Sequence, residues 1–274
     1  PIELLRMFFD HKYWFEFPET NKIFLEDVLI TGAIAPPGGS KQDIYIRFLR
    51  HFDIFSVNTF SVDNMTRIFS NIMALGYKRN GFSTDIQSTA NLLVSATMEM
   101  YNSAMLSLKP TPAKSHYIFN LRDFSRVING CLLVKRDSIT DKKFFVRLWV
   151  HEAARVFCDR LIDDNDKHWF LEKVKLIVKD QLRDSWDTMM AGLTAKGPVT
   201  LEALNSLIFT TALDTENEHA DRKYEEIPSA DSFYRMATET MTEYNATHKT
   251  KISIVLFRYA LEHLSRICRN LSIS

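Results

Sequence analysis

Two arginines three residues apart, Arg47 and Arg50, are the side chains best suited to act on a phosphate group. Residues with this spacing share a face of a helical turn, so both guanidinium groups can point at one ligand. A guanidinium stays charged and donates hydrogen bonds in a fork, which would stabilise charge developing on a transferring γ-phosphate. The alternative is a pair of surface salt bridges, and spacing alone favours that alternative.

A third arginine, Arg122, lies in the first turn of a predicted helix that Asn120 caps. Asp123 stands three residues after the cap, close to the pattern of a capping box. The free backbone N–H groups of a helix start favour anions, so Arg122 could contact a bound phosphate there. The alternative is a local surface pair between Arg122 and Asp123.

The glycine-containing run at residues 38–41 does not match a phosphate-binding loop. That motif requires two glycines five positions apart, and the residue five positions before Gly39 is Ile34 rather than a glycine. Lys41 also does not directly follow Gly39, and no predicted strand ends in paired carboxylates that could hold Mg²⁺. The chain is therefore not expected to bind or hydrolyse ATP unaided.

Three further patterns suggest sites but fail in detail. The run that begins with His151 and Glu152 has Arg155 where a zinc protease needs its second histidine, so a helix-surface ion pair is predicted. Residues 163–166 are acidic but lack the glycine and closing glutamate of a calcium loop, which favours a solvated helix end. His263 lies on a predicted apolar stripe and is expected to be a core histidine.

Composition sets the class of protein. The 274 residues carry 34 basic and 34 acidic side chains, so bulk charge gives no support to nucleic-acid or membrane-surface binding. No apolar run is long enough for a transmembrane helix. The three cysteines are far apart in the sequence and are expected to be reduced structural thiols. The first residues read as the middle of a longer polypeptide.

The hydrophobic pattern predicts a mainly α chain with a few strands near its start. Residues 28–34 form a continuously apolar run typical of a strand buried on both faces of a parallel sheet, and 52–60 form a second candidate strand. After Ser61, a suitable N-cap, helical spacing dominates. Helices are predicted at 62–75 (ending at Gly76), 85–108, 121–131, 142–161, 170–182, 229–244 and 251–271, with a short element at 201–209.

Several short motifs occur in an order that identifies a family resemblance. They lie at residues 1–6, 35–39, 47–52, 119–125, 243–245, 255–257 and 262–269. Together they resemble the third AAA+ module of dynein heavy chains, running up to the start of the fourth. The Pro-Pro-Gly-Gly turn and the Arg-His-Phe motif are more similar to axonemal than to cytoplasmic dyneins.

This resemblance implies an end of an AAA+ α/β large subdomain at residues 1–60, a helical lid at 61–190, and a connector with the first helices of the next module at 191–274. It implies that Arg50 is an arginine finger acting in trans on a neighbouring module, with Arg47 as the alternative finger. It implies that Arg122, beside Asn120, is a sensor-2 arginine contacting nucleotide in its own module. Residues 35–38 would hold the sensor-1 position, but Ser40, Lys41 and Gln42 depart from the family pattern.

The same resemblance implies a ring driven by ATP, with ATP or ADP and Mg²⁺ bound in the intact ring and none by this segment alone. Its partners would be neighbouring AAA+ modules, a microtubule reached through distant parts of the parent, and dynein intermediate and light chains, in the axoneme of a cilium. Nucleotide contact at both Arg50 and Arg122 would bias the angle between the large subdomain and the lid. The alternative function is a non-enzymatic helical scaffold or adaptor.

Overall fold

The computed structural model describes residues 1–35, 43–82, 84–138, 141–193, 199–212 and 222–273. The chain divides into two units, residues 1–59 and 60–274. The described residues are mainly helical, which confirms the predicted mainly α class, and their sheets are two small antiparallel pairs. No helix in these ranges has the length and apolar character needed to cross a bilayer.

The described residues of the first unit form two helices and a hairpin. Helix α1 (Ile2–His11) ends where Lys12 adopts a left-handed conformation with φ of 62°, and its N–H donates to the carbonyl of Phe8. Strand β1 (Tyr13–Phe15) pairs antiparallel with β2 (Lys22–Phe24). The short helix α2 (Ile46–Leu49) follows.

The strands predicted at residues 28–34 and 52–60 are wrong, since neither stretch forms a strand in the structure. Both are exposed: Leu29 and Val57 are each 90% exposed and Phe55 is 86% exposed. A strand buried on both faces needs neighbouring strands to supply its hydrogen bonds and its cover. Among the described residues no such neighbours are present, so the apolar runs remain extended and uncovered.

The second unit is built from helices around one large core. Its elements are α3 (Val62–Arg79), α4 (Thr84–Ser107), α5 (Leu121–Leu132), a 3₁₀ turn (Arg136–Ser138), α6 (Lys142–Ala153), a π turn (Ala154–Cys158), α7 (Asp164–Asp180), α8 (Trp186–Met189), α9 (Leu201–Asn205), β3 (Phe209–Thr210), β4 (Glu225–Glu226), α10 (Ala230–Thr247) and α11 (Arg258–Ile273). The core centres on fully buried aromatic side chains such as Phe124, Trp149 and Phe170. This packing positions α5, α6 and the π turn, which carry the polar sites described below.

Helix α3 begins as predicted but runs past its predicted end. The Ser61 hydroxyl accepts a hydrogen bond from the N–H of Asn64 at 3.3 Å, which confirms the N-cap. Gly76 does not stop the helix. A Cβ at that position would lie 2.6 Å from a methyl carbon of Leu132, so the glycine allows α3 to pack closely on α5.

Candidate functional site

Aromatic packing between α1 and α2 positions the first candidate arginines. The ring of Phe9 stacks on His51, with centroids 5.3 Å apart and an interplanar angle of 13°. It also meets Phe48 and Phe52 edge to face, at 5.9 and 5.0 Å. Such contacts hold α2 against α1 and leave the polar side chains of both helices at the rim of the aromatic cluster.

Arg47 of α2 and Arg50, the residue after that helix, both face carboxylates of α1. Arg50 donates from Nη2 to Oδ1 of Asp10 at 3.0 Å, and Nε of Arg47 lies 4.0 Å from Oε1 of Glu3. The structure therefore shows the surface salt bridges that were the alternative to a phosphate role. The side chains of Arg50 and Arg47 are nevertheless 60% and 61% exposed. Exposed pairs of this kind contribute little to stability, so a phosphate could replace the carboxylates at small cost.

Asp10 is the carboxylate at the centre of this group. It also accepts a hydrogen bond from Arg6 at 2.6 Å, and Nε2 of His51 lies 3.4 Å from its Oδ1. Burial raises the pKa of Asp10, but the charges of Arg50, His51 and Arg6 outweigh it and hold that pKa below its ordinary value. Asp10 is thus ionised at neutral pH and holds Arg50 at the surface of its own unit.

The second candidate, Arg122, lies at the start of α5. Its N–H donates to Oδ1 of Asn120 at 2.9 Å, and the N–H of Asn120 donates to Oδ2 of Asp123 at 3.0 Å. These bonds confirm the predicted capping box. The side chain of Arg122 is exposed, and its guanidinium has no salt-bridge partner within the part of the chain that the structure describes.

The suggested surface pair between Arg122 and Asp123 is wrong. Asp123 is only 2% exposed, and its carboxylate accepts from Arg160 at 2.8 Å and from Arg126 at 3.3 Å. The capping box turns this carboxylate inward, away from a neighbour at the next position. Arg122 therefore stays available to an anion.

Residues 151–155 are not the surface ion pair that the sequence predicted, because their polar groups are buried. Glu152 is fully buried, and it accepts hydrogen bonds from Nε of Arg269 at 2.9 Å and from the hydroxyl of Tyr224 at 2.7 Å. Nδ1 of His151 donates to the carbonyl of Leu207 at 2.8 Å. Glu152 is thus satisfied by two donors, as its desolvation requires, whereas Nε2 of His151 and Nε of Arg155 have no hydrogen-bond partner among the described residues.

The buried pair also explains which face of α11 packs inward. A Cβ on Gly130 would lie 1.7 Å from Oε2 of Glu152, so α5 must carry glycine beside this carboxylate. To reach Glu152, α11 buries Ser265 and Arg269 together with Leu261, whereas Tyr259 and Ile267 of the predicted apolar stripe are exposed. The predicted core histidine is therefore wrong: His263 is exposed and contacts the ring of Tyr259 edge to face at 4.3 Å.

The helix predicted at 142–161 contains a feature that the sequence did not reveal. It changes from α to π geometry at Ala154–Cys158, where the N–H of Asp159 donates to the carbonyl of Ala154 at 3.0 Å. Turns of this kind are rare and occur frequently at functional sites. The one signal in the sequence was the charged Arg155 that follows His151 and Glu152. That pattern does not distinguish a π turn from an ordinary helix.

The metal-site suggestions from the sequence are not supported by clustering. Within the described ranges no three His, Cys, Asp or Glu side chains are grouped as metal ligands. The acidic run at 163–166 forms the start of α7, as predicted, and Lys114 lies 2.5 Å from both Asp163 and Asp166. The glycine run, the sensor-1 turn after Ala35 and the loop at Ser40–Gln42 fall on residues 36–42, outside the described residues.

Comparisons with known proteins match both units. The family model for a P-loop containing dynein motor region matches residues 1–60, and the model for an AAA+ lid domain matches residues 93–191. The chain is 48% identical to dynein axonemal heavy chain 12 of Mus musculus over 98% of its own length. It is 40% identical to dynein axonemal heavy chain 3 of the same organism, again over 98%.

A more distant relative extends the match to an alga. The chain is 32% identical over 99% of its length to the Dynein-1-alpha heavy chain of the flagellar inner arm I1 complex of Chlamydomonas reinhardtii. It spans 9% of the mouse heavy chain 12 and 6% of the algal protein. The chain therefore belongs to the dynein heavy chain family, as a short segment related to its axonemal members.

Proposed function

We propose that this chain is part of the ATP-driven microtubule motor ring of an axonemal dynein heavy chain, working in the cilium. Residues 1–60 would complete the large subdomain of the third AAA+ module, 61–190 would form its lid, and 191–274 would connect to the fourth module. The observation that carries this proposal is 48% identity to an axonemal heavy chain over 98% of the chain. The same homology argues against a free-standing scaffold or adaptor.

Within the ring, Arg50 would act in trans as an arginine finger, with Arg47 as the alternative. The support is that both guanidinium groups are more than half exposed and are held only by surface pairs to Asp10 and Glu3. A phosphate dianion attracts a guanidinium more strongly than an exposed carboxylate does, because it carries more negative charge and accepts the same bidentate fork. Arg50 would thus exchange Asp10 for the nucleotide of a neighbouring module.

Arg122 would act in cis as the sensor-2 arginine, with Asn120 fixing the helix start that presents it. The support is its exposed guanidinium at the N-terminus of α5, where the helix dipole and the free N–H groups favour an anion. Asn120 caps that end, and Asp123 points inward to Arg160. The charge near Arg122 therefore stays positive.

ATP or ADP with Mg²⁺ would be bound in the intact ring. The exposed guanidinium groups fit the phosphates of such a nucleotide, and they would stabilise charge on its phosphate oxygens. The described residues do not group carboxylates for the metal, so Mg²⁺ would be held by other parts of the heavy chain. Neighbouring modules, the microtubule and accessory dynein chains are the partners that follow from this proposal.

The test uses the full heavy chain with Arg50→Ala, Arg50→Lys and the control Arg79→Ala, which removes an exposed arginine of α3. We expect Arg50→Ala to lower hydrolysis at the preceding module by about 10³-fold or more, as loss of an arginine finger does. Lysine should restore little, because it lacks the fork. Normal turnover in Arg50→Ala, with Arg47 intact, would reject Arg50 as the finger; normal turnover in a double Arg47/Arg50 variant would reject both.

Arg122 is tested by nucleotide affinity at its own module. We expect Arg122→Ala to weaken ADP binding there by roughly tenfold, the value of one charged hydrogen bond, with unfolding unchanged. Equal affinity in Arg122→Ala and in Arg79→Ala rings would reject the sensor-2 role.

A further inference from the structure

A basic cavity of about 610 Å³ opens on the second unit, on a side formed by α5, the π turn and α11. This volume falls within the usual range of small-molecule sites. Four of its lining residues are arginines, and the others are one carboxylate, one amide and one valine: Arg126, Arg155, Arg160, Arg269, Asp159, Asn270 and Val156. The proposed nucleotide-contacting residues do not line it.

The π turn builds one wall of this cavity. Arg155 and Val156 lie within the turn, and Asp159 and Arg160 follow it directly. A π turn changes the direction of the side chains that follow, relative to a continuous α-helix. The chain therefore adopts a less favourable helix geometry where Arg155, Asp159 and Arg160 line the cavity.

Positive charge exceeds negative charge around the cavity. Arg126 and Arg160 share Asp123, and Arg269 pairs with Glu152. Arg155 and Arg266 share Asp159, at 3.3 and 3.0 Å. Five guanidinium groups thus face three carboxylates, so the cluster retains an excess of two positive charges.

Arg155 is the most deeply buried arginine of the cluster. Its side chain is only 4% exposed, and its Nε has no hydrogen-bond partner among the described residues. Burial lowers the pKa of Arg155, and the nearby charge of Arg266 lowers it further. A buried donor without a partner is costly, and an anionic acceptor in the cavity would satisfy it.

We propose that this cavity is a binding site for a phosphoryl dianion, held by Arg126, Arg155 and Arg160. An anion there would neutralise the excess charge and supply an acceptor for the buried Nε. It would also link α5, the π turn and Arg269 of α11. Its occupancy would therefore stabilise the association of the last helix with the rest of this unit, independently of the roles of Arg50 and Arg122.

The test titrates the 274-residue chain with inorganic phosphate, and separately with ADP, by calorimetry in low-salt buffer, since salt screens exposed charges. We expect saturable phosphate binding that Arg126→Gln weakens by about tenfold, the value of a charged hydrogen bond. Arg126 is 57% exposed, so this change should not unfold the chain. The control Arg79→Gln removes the same charge outside the cavity and should leave the affinity unchanged.

Asp159→Asn gives a gain-of-binding test that does not remove an arginine. It takes away the carboxylate that Arg155 and Arg266 share, so phosphate should bind several-fold more tightly. Tighter, competitive binding of ADP would identify a nucleotide phosphoryl as the ligand, and equal or weaker binding would identify free phosphate. The proposal is overturned if neither probe saturates the parent or Asp159→Asn at about 50 mM, or if Arg126→Gln and Arg79→Gln bind equally.

Discussion

Replacing Arg269 with methionine should leave the carboxylate of Glu152 buried without its cation. The two side chains are 6% and 0% exposed, so water cannot take the place of the guanidinium. Removing one partner of a buried ion pair typically costs about 3–5 kcal/mol. For a unit of this size that corresponds to a fall in Tm of roughly 6–20 °C.

Urea and thermal unfolding of the 274-residue chain measure this cost. The matched control is Arg258→Met, the same change on the same helix at a side chain that is 61% exposed, where the loss should stay below about 1 kcal/mol. The double variant Glu152→Gln/Arg269→Met removes the stranded charge and keeps an acceptor for Tyr224, so it should be more stable than Arg269→Met alone. Equal losses at Arg269 and Arg258, or no rescue by Gln, would refute the reasoning.

Two further expectations concern the same buried region. Gly130→Ala would place a Cβ 1.7 Å from Glu152 and should cost more than about 3 kcal/mol, whereas Gly32→Ala, with nothing within 4 Å, should change stability by less than about 0.5 kcal/mol; similar losses in chemical denaturation would count against the close approach. Burial lowers the pKa of His151 below its ordinary 6.5, and the charge of Arg155 lowers it further. The unfolded chain therefore binds a proton at this histidine at a higher pH than the folded chain does. The stability that neutral His151 contributes above pH 6.5 is thus lost as the pH falls. The parent should therefore lose more unfolding free energy than His151→Gln between pH 7 and 5, and parallel curves would contradict this.

Local signals in the sequence predicted the starts of α3 and α5, whereas α7 begins six residues before its predicted start at 170 and α11 begins seven residues after its predicted start at 251. Ser61 and Asn120 carry the hydroxyl and amide oxygens that satisfy free N–H groups, and such caps depend only on residues within one turn. The acidic start of α7 is recognisable for the same reason. These features could be read from single stretches of the chain.

Features that depend on distant partners could not be read in this way. The apolar runs at 28–34 and 52–60 have the composition of buried strands, but a strand is fixed by neighbours that the described residues do not supply. The inward face of α11 is set by Glu152, which lies 117 residues before Arg269. A helical wheel assigns the apolar stripe to the core, and His263 lies on that stripe, so it was wrongly placed in the core.

The roles of the candidate arginines stay predictions, and their partners in the structure could not be predicted from the sequence. Arg50 and Arg122 are exposed, as a phosphate role requires, yet nothing in the spacing of Arg50 indicated its contact with Asp10. That contact joins residues 40 positions apart and arises from the packing of Phe9 on α2. Side-chain type alone therefore suggested a phosphate contact, whereas tertiary packing decides that Arg50 pairs with Asp10 in this structure.

The most direct test of the account is a structure of the intact heavy-chain ring with nucleotide bound at the module preceding this one. The account predicts that the guanidinium of Arg50 has left Asp10 and lies within hydrogen-bond distance, about 3 Å, of a nucleotide phosphate oxygen. If Arg50 still pairs with Asp10 while nucleotide occupies that module, and Arg47 makes no phosphate contact either, the central claim is contradicted.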